Sequence, residues 1–112
     1  EPAMLSISSS MLTHLGYHVL AAASPEEALQ LADKHTGPIH LLVTDVIMPG
    51  MNGRDLSKVI DSRHPGLRHI FTSGYTSDVM AARGMLEKGI HFIQKPFTIK
   101  RMAAKVREVL EA

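Results

Sequence analysis

The sequence predicts an α/β fold: a parallel sheet with helices on both faces. Three observations lead there. Short apolar runs alternate along the chain with segments whose apolar residues recur at helical spacing, which is the order of βαβ units. The run Leu41-Leu42-Val43 is apolar without alternation, as in a strand buried on both faces. Pro and Gly are spread between these segments as punctuation, with no repeat and no low-complexity tract. The 112 residues suit one domain, since such units commonly run to about 100–150 residues. With 45% apolar and 21% charged residues the chain has an ordinary globular composition and is expected to bury a core.

A first helix is expected from about Pro2 to Leu15, with Met4, Ile7, Met11, Leu12 and Leu15 at helical spacing and Gly16 as its stop. Tyr17 to Ala22 reads as a short strand. Ser24-Pro25-Glu26-Glu27 starts the next helix, because a Ser cap, a Pro at the first helical position and a Glu three residues after the cap together satisfy free N–H groups. That helix runs to about Lys34, and Thr36-Gly37-Pro38 breaks it. The strand Leu41–Val43 ends at Thr44-Asp45. After the loop Met48 to Gly53, a helix carries Leu56, Val59 and Ile60 inward and stops before Pro65-Gly66. The alternation continues with a strand His69–Thr72, a helix of about Ser77–Glu87, a strand Ile90–Gln94 and a helix of about Thr98–Glu111. Ile99, Met102, Ala103, Val106, Val109 and Leu110 form one apolar stripe on the last helix.

Composition removes several function classes. Twelve Lys and Arg against 11 Asp and Glu give a net charge of +1, far from the basic excess of an electrostatically driven nucleic-acid binder, so no direct nucleic-acid contact is expected. There is no Cys, which excludes disulfides and Cys-based zinc sites and fits a reducing compartment. No apolar run approaches the ~20 residues of a membrane span, and Glu1-Pro2 does not open like a secretory leader. The reading is therefore cytoplasmic, with no membrane contact by this domain.

In open α/β sheets, ligands sit beyond the carboxyl ends of the strands. One strand ends at Asp45, the next leads into Ser73-Gly74, and the last into Lys95-Pro96-Phe97. A carboxylate, a hydroxyl and an ammonium are thus expected along one edge of the sheet. These residues resemble the receiver domains of two-component response regulators. Thr44-Asp45-Val46-Ile47-Met48-Pro49-Gly50-Met51-Asn52-Gly53 is similar to the phospho-acceptor segment, Phe71-Thr72-Ser73-Gly74-Tyr75 to the switch-hydroxyl segment, and Phe92-Ile93-Gln94-Lys95-Pro96-Phe97 to the lysine segment. The three segments occur in the family's order and spacing, and the resemblance covers the chain from its second element onward.

The resemblance implies a flavodoxin-like three-layer sandwich with strand order 2-1-3-4-5. It implies that Asp45 attacks a phosphohistidine on a histidine kinase or a histidine phosphotransfer domain and becomes an acyl phosphate. Mg²⁺ would be held by Asp45 and the backbone carbonyl of Ile47. Lys95 would neutralise one phosphoryl oxygen, and Ser73 would hydrogen-bond another. Phe92, three residues before Lys95, takes the aromatic switch position, and the Lys95-Pro96 bond is expected to be cis. Ile47 and Tyr75 flank the route of a hydrolytic water, and their bulk implies slow loss of the phosphoryl group. The segment wording is similar to receivers of hybrid sensor histidine kinases, and the 112 residues leave no room for an output domain. Homodimerisation on phosphorylation is possible within this reading.

One departure stands out. The family's acidic pair belongs at the tip of the first strand, directly upstream of Glu1, so the chain is expected to be N-terminally incomplete, and Glu1 is not taken as a replacement. If the acids were truly absent, the alternative is a non-catalytic pseudo-receiver working through the face near Phe92 and the last helix; a free-standing single-domain regulator is another. An aspartyl phosphohydrolase ranks low, because such enzymes carry an acid two residues past the nucleophile, where this chain has Ile47. The seven His, spread over different elements, read as surface or edge positions and not as a metal site. Ser6, Ser8, Ser9 and Ser10 fall within the first helical pattern, and most Met read as flexible core filler, with Met80, Met85 and Met102 able to join a partner-binding face.

Overall fold

The computed structural model describes residues 9–48, 50–84 and 90–111. Pro2, Met4, Ser6, Ile7 and Ser8 of the first predicted helix, together with Glu1, Pro49, Met85 and Glu87, lie outside the described residues. The chain divides into two compact units, Glu1–Gly37 and Pro38–Ala112.

In the first unit, residues 9–14 are helical (α1). Gly16 ends the helix with φ +95, a left-handed conformation that glycine adopts without a Cβ clash. The Tyr17 amide reaches back to the Leu12 carbonyl at 3.1 Å. Residues 17–22, expected as a strand, are not one. A strand exists only through a ladder partner, and among the described residues the sheet consists of three strands, none of which pairs with this segment. α2 (Pro25–Lys34) begins as expected: Ser24 accepts from the Glu27 amide at 3.1 Å, and Glu27 Oε1 accepts from the Ala23 amide at 3.1 Å.

The second unit contains the sheet. β1 (Leu41–Asp45), β2 (Arg68–Ser73) and β3 (Phe92–Gln94) pair in parallel in the order β1-β2-β3. Asp45 stands opposite Thr72, and Ser73 opposite Gln94. Between the strands run α3 (Gly53–Arg63) and α4 (Ser77–Ala82), and α5 (Ile99–Glu111) follows β3.

Alternation along β2 shows that helices cover both of its faces. From the odd-numbered face, His69 Nδ1 meets Ser57 Oγ of α3 at 2.7 Å. From the even-numbered face, the Arg68 guanidinium donates to the Leu110 carbonyl of α5. Ile70, Phe71, Thr72 and Ser73 are accordingly all buried. β1 differs from expectation: Leu41, Leu42 and Val43 are only half-buried, because among the described residues β1 has a ladder partner on one side alone.

Val46, Phe71 and Met80 form a buried cluster against which Val79, Ile90 and Phe92 pack. From α5, Met102, Val106 and Val109 are at most 1% exposed, each contributing about 1.5–3 kcal/mol of burial. The predicted stripe narrows at its start, since Ile99 is 52% exposed in the first turn, ahead of the residues that face β2. α4 stops at Ala82, well before Glu87. Gly84, at φ +72, turns the chain there, and Arg54 of α3 holds the turn by donating to its carbonyl at 2.6 Å. β3 likewise starts at Phe92, not Ile90.

Candidate functional site

All groups of the candidate site belong to the second unit and sit at the carboxyl ends of its strands. Asp45 is the last residue of β1. The chain leaves the strand tightly: the Val46 amide donates to the Thr72 carbonyl at 2.9 Å, and the Gly53 amide donates to the Val46 carbonyl at 2.7 Å. Asn52 caps α3, accepting from the Asp55 amide at 2.8 Å. The loop from Asp45 to α3 is therefore closed at both ends.

Gly53 makes this closure possible. A Cβ on residue 53 would lie 2.0 Å from the Asp45 carbonyl oxygen and 2.9 Å from its carbonyl carbon. Any side chain there would push the helix off the strand end that carries Asp45.

Lys95 approaches from beyond β3. Its Nζ lies 3.2 Å from Oδ1 of Asp45 and 3.2 Å from Oδ2. The two side chains are 31% and 37% exposed respectively, so the pair is open to an incoming group and partly screened by water. The Lys95 amide donates to the Ser73 carbonyl at 2.8 Å, which fixes the base of the side chain beside β2. The Lys95-Pro96 bond is cis, as expected.

The sequence singled out Ser73 as the hydroxyl, but Thr72 is the residue that touches the carboxylate. Its Oγ1 donates to Oδ1 of Asp45. Ser73 belongs to the opposite face of β2, buried, and its Oγ accepts from the Tyr75 amide at 3.0 Å. The signal that finds Thr72 is register: it is the residue directly across the ladder from Asp45, and facing residues on neighbouring strands share a face.

Ile47 and Tyr75, 49% and 50% exposed, stand on the loops that follow Asp45 and Ser73. The Arg83 guanidinium lies 5.4 Å from the centre of the Tyr75 ring. Phe92 opens β3 opposite Phe71 and packs half-buried on the Val46–Phe71–Met80 cluster. A cleft of about 240 Å³ lined by Phe92, Ile93, Arg101, Ala104, Lys105 and Glu108 lies between β3 and α5 and includes none of Asp45, Thr72 or Lys95.

For a metal, the donor that the structure places at the site is a hard oxygen ligand, the Asp45 carboxylate at the end of β1. Among the described residues no three His, Cys, Asp or Glu gather into a cluster. A single carboxylate fits Mg²⁺, which is commonly held by one or two carboxylates together with phosphate oxygens and water. His69 was expected at a surface or edge position. It is instead half-buried on Ser57 and stacked on Phe71, with ring centres 6.2 Å apart, and burial lowers its pKa while Asp61, at 3.9 Å, partly opposes the shift.

Among the described residues no helix is long and apolar enough to cross a membrane. Among curated proteins, the sensor kinase CckA of Brucella abortus is 38% identical over 96 residues, 86% of this chain and 10% of that protein. The hydrogenase transcriptional regulatory protein HoxA of Cupriavidus necator is 32% identical over 97 residues, 86% of this chain and 20% of that protein. The chain thus spans a small part of the length of these relatives. The crystal structure of the receiver domain of the hybrid histidine kinase CckA superposes with a TM-score of 0.81 at 38% identity, covering 98% of this chain and 92% of that one. A response regulator receiver protein from Sinorhizobium medicae gives 0.82 at 25% identity, covering 100% and 89%. These neighbours identify the architecture as the flavodoxin-like α/β fold. With the response regulator receiver domain profile matching residues 1–107, the chain belongs to the receiver-domain family of two-component systems.

Proposed function

We propose that residues 1–112 form one phospho-acceptor receiver domain, in which Asp45 takes a phosphoryl group from a phosphohistidine on a histidine kinase or a histidine phosphotransfer domain. The observation that carries this reading is the Asp45 carboxylate at a strand end with the Lys95 ammonium 3.2 Å from both its oxygens. A carboxylate oxygen attacks phosphorus, the bond to the histidine nitrogen breaks, and an aspartyl phosphate forms. Lys95 then neutralises a phosphoryl oxygen as charge builds there. Asp45 and the Ile47 carbonyl would hold Mg²⁺, which when bound shields the charge of the phosphoryl oxygens.

Ser73 serves as the switch hydroxyl. It exchanges its contact with the Tyr75 amide for a phosphoryl oxygen, and Phe92 repacks in response, reshaping the surface formed by β3 and α5 that a partner or a second copy reads. The similarity to the CckA receiver supports placing the domain within a hybrid sensor histidine kinase, on the cytoplasmic side of the membrane.

The test is to incubate the chain with Mg²⁺ and a small acyl phosphate and follow intact mass. A phosphoryl adduct that hydroxylamine removes, and that Asp45→Asn lacks, is the expected result. No adduct, or one that survives Asp45→Asn, overturns the assignment and favours a binding module that works without phosphorylation.

A further inference from the structure

Two neighbouring hydroxyls stand at the end of β2, and alternation along the strand lets only one face Asp45. Thr72 is that residue. It is 4% exposed, its carbonyl is pinned by the Val46 amide at 2.9 Å, and the β1–β2 ladder sets it directly opposite Asp45. Its Oγ1 donates to Oδ1 of the carboxylate. The phospho-acceptor scheme above uses Asp45, Lys95 and Ser73 and leaves this contact without a role.

We propose that Thr72 sets the lifetime of the phosphoryl group on Asp45 by hydrogen-bonding the carboxylate as it leaves phosphorus during hydrolysis. The inference rests on the phospho-acceptor reading. In hydrolysis a water oxygen bonds to phosphorus, the bond between phosphorus and the aspartyl oxygen breaks with its electron pair remaining on the carboxylate, and the water's proton passes to solvent. Inorganic phosphate and the free Asp45 carboxylate result.

In the acyl phosphate neither aspartyl oxygen carries a carboxylate charge; as the bond to phosphorus breaks, Oδ1 regains its share of that charge. Hydrogen bonds to charged acceptors are roughly twice as strong as those between neutral groups. The Thr72 contact therefore strengthens on the way to the transition state, and only such differential binding accelerates a step. Transition states for phosphoryl transfer are mostly loose, with the leaving bond largely broken and the entering bond barely formed. Charge on the departing carboxylate is well developed during loss, whereas the attacking carboxylate gives up little of its charge during uptake. Thr72 therefore assists loss more than it affects uptake.

The experiment loads the chain, Thr72→Val, Thr72→Ala and Thr72→Ser with a small acyl phosphate and Mg²⁺, removes the donor by rapid desalting, and times the loss of the adduct. Thr72→Val keeps the shape of the side chain, and Thr72→Ala removes the hydroxyl without any possibility of overpacking. The expected result is loss slowed roughly tenfold in both, less than the 10²–10³ of a principal oxyanion donor because Lys95 remains. Uptake should change by a smaller factor, and Thr72→Ser should restore the parental lifetime. Parental loss rates in folded Thr72→Val and Thr72→Ala, or slow loss in Thr72→Ser, overturn the role of the hydroxyl while leaving Asp45 as acceptor. If the parent chain itself takes up no phosphoryl group, the phospho-acceptor reading fails and this inference falls with it.

Discussion

Replacing Gly53 by Ala tests how the site is held. The new Cβ would lie 2.0 Å from the Asp45 carbonyl oxygen and 3.1 Å from Cγ2 of Thr44. The close atom is backbone, so no rotamer change relieves the contact. Either α3 retreats or the end of β1 bends. Overpacking against side chains that can yield costs about 1–3 kcal/mol, and retreat also stretches the 2.7 Å bond from the Gly53 amide to the Val46 carbonyl, worth about 1 kcal/mol. Against this, Ala restricts the unfolded chain and recovers about 0.4–1 kcal/mol.

The net loss is about 1–3.5 kcal/mol, or about 4–14 °C in Tm at roughly 4 °C per kcal/mol for a domain of this size. A thermal melt by circular dichroism measures it, with Gly74→Ala as the control: nothing lies within 4 Å of a Cβ there, and the expected change is within about 0.5 kcal/mol. Because the displaced atoms belong to Asp45, phosphoryl uptake measured well below the melt should fall as well. A Gly53→Ala protein that melts within a degree or two of its parent and takes up phosphate normally would refute the argument that helix and strand end are in backbone contact.

Four further outcomes are expected. Burial lowers the His69 pKa, so below about pH 6.5 the unfolded chain takes up a proton that the folded chain resists. Stability should therefore fall as pH drops from 7.5 to 5.5, less steeply in His69→Asn, as melts across that range can show. Asn52→Ala removes the α3 cap and should cost about 1 kcal/mol, read as a lower urea midpoint with unchanged slope. Lys95→Met breaks a pair that water already screens, so stability should shift by no more than about 1 kcal/mol while uptake falls roughly tenfold or more. Finally, the bulk of Ile47 and Tyr75 predicts slow phosphoryl loss in the intact protein; a half-life of seconds contradicts it.

Asp45 and Lys95 were legible in the sequence because their placement needs only the ends of strands, and strand ends are marked by where apolar runs stop. The start of α2 was legible for a similar reason: Ser24 caps through a contact a few residues away. What depends on a partner distant in sequence was not legible. Tyr17 to Ala22 has the pattern of a strand, but pattern cannot supply the neighbour whose backbone completes a ladder. The stripe on α5 marks an apolar face, but only packing against β2 decides that Met102 is buried and Ile99 exposed.

The hydroxyl at the site shows the same limit at the scale of one residue. Thr72 and Ser73 are adjacent, similar in chemistry and both buried, so composition and spacing cannot rank them. The β1–β2 register ranks them at once, because a shift of one residue would turn Thr72 away from Asp45 and bring Ser73 toward it. In the unphosphorylated chain, then, the carboxylate is held by Thr72 while Ser73 is held by the Tyr75 amide. In the proposed scheme the two hydroxyls would therefore enter the chemistry at different stages. Thr72 would act on the aspartyl oxygens in both states, whereas Ser73 would gain a partner only once a phosphoryl oxygen is present, and that division makes their separate substitution informative.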